Sequence, residues 1–180
     1  MSLNIAVVVG SIRKDSFNKQ FAEALVKLFP GDVKVNFIRI DDLPLYSQDD
    51  DGSPAPEVTR LREEIKAASG VLFVTPEYNR SIPGVLKNAI DHASRPWGKS
   101  VWAGKPAAVV GVSVGAIGTA LAQQHLRNVL AYLAMPTLSG HEAFIHWKDG
   151  LVENGEIGAN SKEFVQGFAS AFIDWVKKTA

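Results

Sequence analysis

Asn4 to Val9 is an almost unbroken apolar run that stops at Gly10-Ser11, the pattern of a strand buried on both faces of a parallel sheet. From Ser16 the period changes. Phe17, Phe21, Leu25, Leu28 and Phe29 recur at helical spacing and Pro30-Gly31 closes the segment, so an amphipathic helix follows. Val33 to Ile40 alternates apolar and polar positions as a second, more exposed strand, and Tyr46 to Pro56 is polar and rich in Pro and Gly, which predicts a loop. Glu57 to Ala68 reads as a helix with Gly70 at its C-cap, and Val71 to Thr75 as a fully buried strand. Helices over Pro83 to Ala93 and Thr119 to Leu133 flank a strand at Ala107 to Val112. Thr137 to Ile145 is expected as a fifth strand, then a last helix from Phe164 to Val176 with Phe168, Phe172 and Trp175 on one side. Strand and helix alternate throughout, without internal repeats. The expected fold is therefore α/β: a three-layer α/β/α sandwich on a five-stranded parallel sheet, each crossover returning right-handed over it.

Length and charge narrow the partners. The chain has 180 residues, about one domain's worth, so a single domain over 1–180 is expected. Nineteen basic and nineteen acidic residues cancel, leaving no global field to gather nucleic acid or anionic lipid. There is no cysteine, which removes disulfides, thiolate nucleophiles and cysteine-held metals. The longest uncharged stretch, Pro106 to Gln124, is broken by Gly111, Ser113, Gly115, Gly118, Thr119, Gln123 and Gln124, so it reads as strand, turn and helix start rather than a membrane span. The N-terminus has no basic segment before its apolar run, which argues against an export signal and for a cytoplasmic protein.

In such sheets ligands bind beyond the carboxyl ends of the strands, where the strand order reverses. The loop after the first strand, Gly10 to Asn18, supplies Ser11, Ser16, Asn18 and Arg13 at a helix start, where free N–H groups and the helix dipole favour a phosphate. It matches neither the triphosphate loop nor the dinucleotide fingerprint, which points to a monophosphate. The alternative is an N-cap at Ser16 or Asp15 and a solvated Arg13. Thr75-Pro76-Glu77-Tyr78-Asn79 leaves the third strand on a rigid turn whose aromatic, amide and backbone groups suit a planar heterocycle with an imide edge, matched by Asn79. Gly111 to Gly115 satisfies G-x-S-x-G, so a serine hydrolase using Ser113, His146 and Glu142 is a rival; the chain is short for that fold and lacks an oxyanion segment. The four histidines show no metal-ligand spacing, and Asp49-Asp50-Asp51 lacks the spacing of a calcium loop. Trp97 and Trp102 fit a lid or an interface.

Gly10-Ser11-Ile12-Arg13-Lys14-Asp15-Ser16-Phe17-Asn18, and Thr75-Pro76-Glu77-Tyr78-Asn79-Arg80-Ser81-Ile82-Pro83-Gly84-Val85-Leu86-Lys87-Asn88-Ala89-Ile90-Asp91, resemble the NADPH-dependent FMN reductase family, its chromate/quinone reductase branch in particular. The resemblance implies a flavodoxin-like fold with non-covalent FMN. Ser11, Arg13, Ser16, Phe17 and Asn18 would hold the phosphate and ribityl chain. Pro76, Glu77, Tyr78 and Asn79 would border the isoalloxazine ring, and Ser113 with Gly115 would approach its pyrimidine side. It further implies hydride transfer from NADPH or NADH through FMN to quinones, and to chromate, in a ping-pong cycle with no catalytic residue from the protein. Members form homodimers or homotetramers, with Arg127 and Glu142 at positions matching a tetramer-tying pair. Arg80 and Asp49 to Asp51 fall where members vary. A flavodoxin-type electron carrier and a flavin-free interaction domain are the rivals on the same scaffold.

Overall fold

A computed structural model of the protein describes residues 2–179. Five strands, β1 (Asn4–Val9), β2 (Lys34–Phe37), β3 (Gly70–Val74), β4 (Ala107–Ser113) and β5 (Phe144–His146), form one sheet in the order β2-β1-β3-β4-β5. Every pairing is parallel, with Val7 opposite both Phe37 and Leu72, Val74 opposite Val110, and Ser113 opposite His146. This is the flavodoxin-like order, and the chain reverses direction across the sheet between β1 and β3.

The continuous apolar runs of β1, β3 and β4 follow from burial on both faces, since successive side chains point to opposite sides. Ile5, Val7, Leu72, Val74 and Val110 pack against α1 (Phe17–Leu25) and α5 (Ala159–Thr179) through Phe21, Leu25, Phe168, Phe172 and Val176. Ala6, Val8, Val71, Phe73 and Val109 pack against α2 (Pro56–Ala67), α3 (Gly84–Ala93) and α4 (Ala120–Tyr132) through Leu61, Ile65, Leu86, Ile90 and Leu126. The two clusters make the expected three layers. Trp102 lies fully buried in the second, its indole N–H donating to the Ile90 carbonyl, whereas Trp97 is exposed. One tryptophan is therefore core and only the other can serve a surface.

Four local expectations are refined. Gly70 does not cap α2, which ends at Ala67 with Ala68 as its cap; Gly70 opens β3, and a Cβ there would lie 2.6 Å from the Val176 side chain. Glycine serves the close approach of α5 rather than a left-handed turn. The fifth strand is interrupted: Thr137 bridges Ala107, Gly140 turns the chain away with φ 77°, and pairing resumes only at Phe144. The acidic loop holds a short 3-10 turn at Gln48–Asp50 capped by Ser47. A hairpin of β6 (Val152–Glu153) and β7 (Glu156–Ile157) precedes α5, whose polar first turn hides its start from an apolar pattern.

Candidate functional site

The loops after β1, β3 and β4 meet at one edge of the sheet. In the first, Gly10 sits so close to β3 that a Cβ would come within 2.9 Å of Thr75 Oγ1 and 3.1 Å of Leu86 Cδ2. That packing lets the chain turn tightly from β1 towards α1. Ser16 is buried and caps α1, its hydroxyl oxygen accepting from the Lys19 N–H at 3.2 Å. The N–H groups of Phe17 and Asn18 have no acceptor among the described residues, as the geometry of a first helical turn requires. The Ser11 hydroxyl accepts weakly from the Arg13 N–H at 3.4 Å. The Arg13 guanidinium lies 5.1 Å from the centroid of the Phe17 ring, and Phe17 stacks on Trp147 at 4.5 Å with 19° between planes. Trp147 is placed by the end of β5, where its N–H donates to the Ser113 carbonyl at 2.7 Å. Nothing in the pattern around Trp147 marked it; only its place one residue beyond an apolar strand end could have done so.

Asn18 does something other than expected. Thr75 N–H donates to the Val110 carbonyl as a last rung from β3, and Pro76 then ends that ladder because it has no N–H. The Asn18 carboxamide takes the next rung. It accepts from Val112 N–H and donates to the Val112 carbonyl, both at 2.9 Å, in a buried setting. The side chain therefore braces α1 against β4, and only the backbone N–H of Asn18 is free for a ligand.

In the second loop Tyr78 and Ser81 exchange two backbone hydrogen bonds, each 3.0 Å, around Asn79 and Arg80, whose φ values are 51° and 65°. This is a two-residue hairpin turn with both central residues left-handed. It presents Tyr78 and Asn79 to solvent, and the Asn79 carboxamide has no partner among the described residues. Pro76 is buried at the base. Glu77 points inwards with 8% of its side chain exposed: Oε2 accepts from the N–H groups of Leu121 and Ala122 at 3.0 and 3.1 Å, while Oε1 lies 3.3 Å from Arg80. A residue expected beside a ligand ring has its carboxylate committed to the positive end of α4. Ser81 Oγ pairs with His125 Nδ1 at 3.0 Å, fixing the far side of the turn to α4.

In the third loop Ser113 Oγ donates to the Gly118 carbonyl at 2.6 Å and accepts from Gly115 N–H at 3.2 Å, folding the loop on itself. Gly118 has φ 60° and a Cβ there would meet the Ile145 nitrogen at 2.6 Å, so the loop is pressed against β5. Glu142 accepts from Gln124, and neither Glu142 nor Ser113 hydrogen-bonds His146. The sequence-level triad does not form. Ile12, Tyr78, Val114 and Ile117 are exposed along the same edge, an apolar rim suited to a flat ligand.

The remaining candidate side chains have partners within the chain. His92 is buried with Nε2 2.8 Å from the Pro44 carbonyl, and no metal-holding cluster of His, Asp and Glu occurs among the described residues. Arg127 donates to the Leu138 carbonyl at 2.7 Å, and burial pushes its guanidinium below the ordinary value, with Glu142 opposing the shift. Beside the first loop a hollow of about 400 Å3 is lined by Arg13, Lys14, Lys19, Arg39 and Asp41. There the Arg39 side chain, 2.8 Å away, holds the Asp41 carboxyl below its usual range.

The donor set fits a phosphate monoester bearing a flat ring: two hydroxyls, two free N–H groups and a guanidinium at one end, an apolar rim and an unpaired carboxamide at the other. Comparison with known proteins agrees. The chain is 54% identical over 180 residues to a 2-hydroxy-1,4-benzoquinone reductase of a Burkholderia species, covering 98% of each chain. It is 47% identical to a quinone reductase of Pseudomonas putida, covering 97% of this chain and 95% of that one. The solved structure of the flavoenzyme NAD(P)H:(acceptor) oxidoreductase of Paracoccus denitrificans superposes with a TM-score of 0.94 at 44% identity, covering 98% of both chains. The profile of the NADPH-dependent FMN reductases matches residues 3–149, and the chain belongs to that family.

Proposed function

We propose that this protein is an FMN-dependent NAD(P)H:quinone oxidoreductase in which the nicotinamide donor and the quinone occupy the same open face in turn. The observation that carries this is the start of α1, where buried Ser16 and the N–H groups of Phe17 and Asn18 lie together, Arg13 stands over the Phe17 ring, and neither N–H group has an acceptor among the described residues. Bound FMN supplies the two-electron chemistry. The chain's own residues bind and orient. Ser11, Ser16, Arg13 and the first-turn N–H groups hold the phosphate, Phe17 lines the tail, and Pro76 to Asn79 with Ser113 and Gly115 border the ring. Tyr78 and the apolar rim border one face and leave it open to flat visitors, and no side chain is required as acid or base. The alternating cycle and chromate as a further acceptor belong to this reading.

The quinone part is supported by the names borne by relatives at 54% and 47% identity. No helix among the described residues is long and apolar enough to cross a membrane, and a cytoplasmic enzyme is the accompanying proposal. We also expect a homodimer or homotetramer. A groove of about 800 Å3 between α3 and α4 carries exposed Trp97 and Tyr132, and sedimentation reads the assembly directly.

The test of function is the visible spectrum of purified protein, which should bleach with anaerobic NADPH and recover on adding a quinone. Replacing Arg13 and Ser16 together by alanine removes two phosphate contacts of about 1.5–3 kcal/mol each, so FMN affinity should fall more than tenfold. Wild-type FMN affinity in that double variant refutes the site assignment.

A further inference from the structure

Arg80 is costly where it stands. The second central residue of this type of hairpin turn is left-handed, with φ 65° here, and glycine is the residue it suits. The fold gains little in exchange. The guanidinium side chain is 67% exposed, and its one polar contact among the described residues is Glu77 Oε1 at 3.3 Å, an ion pair of the kind that adds little stability in water.

The same contact has a second effect. Glu77 is anchored by two N–H groups of α4, so it orients the guanidinium from a fixed base while the start of α4 takes up its own charge. The Nε and Nη2 donors of Arg80 have no partner among the described residues. Half-exposed Tyr78 stands two residues away on the same turn, and the Ser81 to His125 bond fixes the turn's other leg. A planar cation with free N–H donors, on the same turn as an exposed aromatic residue, matches a flat anion with two neighbouring oxygens.

We propose that Arg80 is an anion anchor at the mouth of the ring site and selects acceptors whose charge lies next to a carbonyl, namely ionised hydroxyquinones. The inference rests on the quinone reading above and narrows its substrate class. A hydroxyl on a quinone ring is a vinylogous carboxylic acid, ionised at neutral pH, and its oxygen, which carries part of the charge, lies next to the oxygen of the adjacent ring carbonyl. Those two neighbouring oxygens can accept from two N–H groups of one guanidinium. The ribose phosphate of NADPH offers related chemistry, and the test separates the two sources.

The test uses FMN-loaded wild-type protein, Arg80→Gly and Arg80→Lys. Glycine suits the turn, so Arg80→Gly should fold with an equal or higher melting temperature. Calorimetric titration of the oxidised proteins with 2-hydroxy-1,4-benzoquinone should show about tenfold weaker binding in Arg80→Gly, about 1.4 kcal/mol, with partial recovery in Arg80→Lys. The ratio of kcat/KM for that anion to kcat/KM for uncharged 1,4-benzoquinone should fall by the same factor. The wild-type preference should also shrink as sodium chloride is raised. An unchanged ratio and unchanged binding in Arg80→Gly overturn the assignment while leaving quinone reduction in place. A loss confined to the KM for NADPH, with NADH unaffected, overturns it in favour of the donor phosphate. Failure of wild-type protein to reduce either quinone refutes the quinone reading itself.

Discussion

Replacing Asn18 by leucine tests whether its carboxamide is a structural rung rather than a ligand group. Leucine has similar bulk, fills the site without water, and leaves both the N–H and the carbonyl of Val112 unpaired in a buried setting. Each orphaned group costs about 1–3 kcal/mol, so the expected loss is about 3 kcal/mol after allowance for the added apolar contact. At about 2–4 °C per kcal/mol for a chain of this size, the melting temperature should fall by about 6–12 °C. Urea unfolding of FMN-free protein is the appropriate assay, because bound cofactor would add its own stabilisation. Asn18→Asp supplies a second arm. One carboxylate oxygen can accept from Val112 N–H, but the other faces the Val112 carbonyl, where the amide now donates at 2.9 Å. Burial against an acceptor raises this carboxyl's pKa above the ordinary value of about 3.9, and the protonated form restores the missing donor. With a raised folded pKa the variant is penalised most above that pKa, so its deficit relative to wild type should shrink as pH falls from about 7 towards 4. A leucine deficit below about 1 kcal/mol, or an aspartate deficit that grows on acidification, would show that the rung carries no weight.

Trp147→Leu removes the ring that holds Phe17 beneath Arg13; aromatic pairs contribute about 0.5–1.5 kcal/mol, so FMN should bind about 2–13-fold more weakly, with Trp147→Phe recovering most of the loss. Quenching of FMN fluorescence on titration measures both, and equal affinity in all three proteins would contradict the role. Lys105 donates to the carbonyls of Lys66 and Ala68 at the end of α2, and burial lowers its ammonium pKa. Because the unfolded chain holds that proton up to about pH 10.4, wild-type stability relative to Lys105→Met should rise with pH towards that value, by no more than about 1 kcal/mol for a partly exposed group. A flat or falling difference in urea midpoints across that range refutes the sign.

Periodicity carried the fold because burial on two faces leaves continuous apolar runs, and β1, β3 and β4 lie where those runs are. The same runs located the edge of the sheet, and with it the three loops that meet there. The fifth strand was expected in the right place, but its interruption was not visible, because only Thr137 and then Phe144 to His146 pair, with a glycine turn between them. What could not be seen was the use of individual polar side chains. Asn18 serves a strand 94 residues away and Glu77 a helix start 44 residues away. Composition at residues 18 and 77 says that a carboxamide and a carboxylate are available, while their partners are set by topology. Trp147 escaped for the same reason, since its stacking partner lies on the opposite end of the chain.

Asn18 ties the helix that begins the proposed phosphate cradle to the strand that leads into the Ser113 to Gly118 loop of the proposed ring site, so the two ends of that site behave as parts of one solid. A close-packed solid of this kind does not stretch to fit its guest. The spacing between them is thus a fixed ruler: a cofactor analogue whose linker is shorter or longer by a carbon can satisfy one end or the other, but not both.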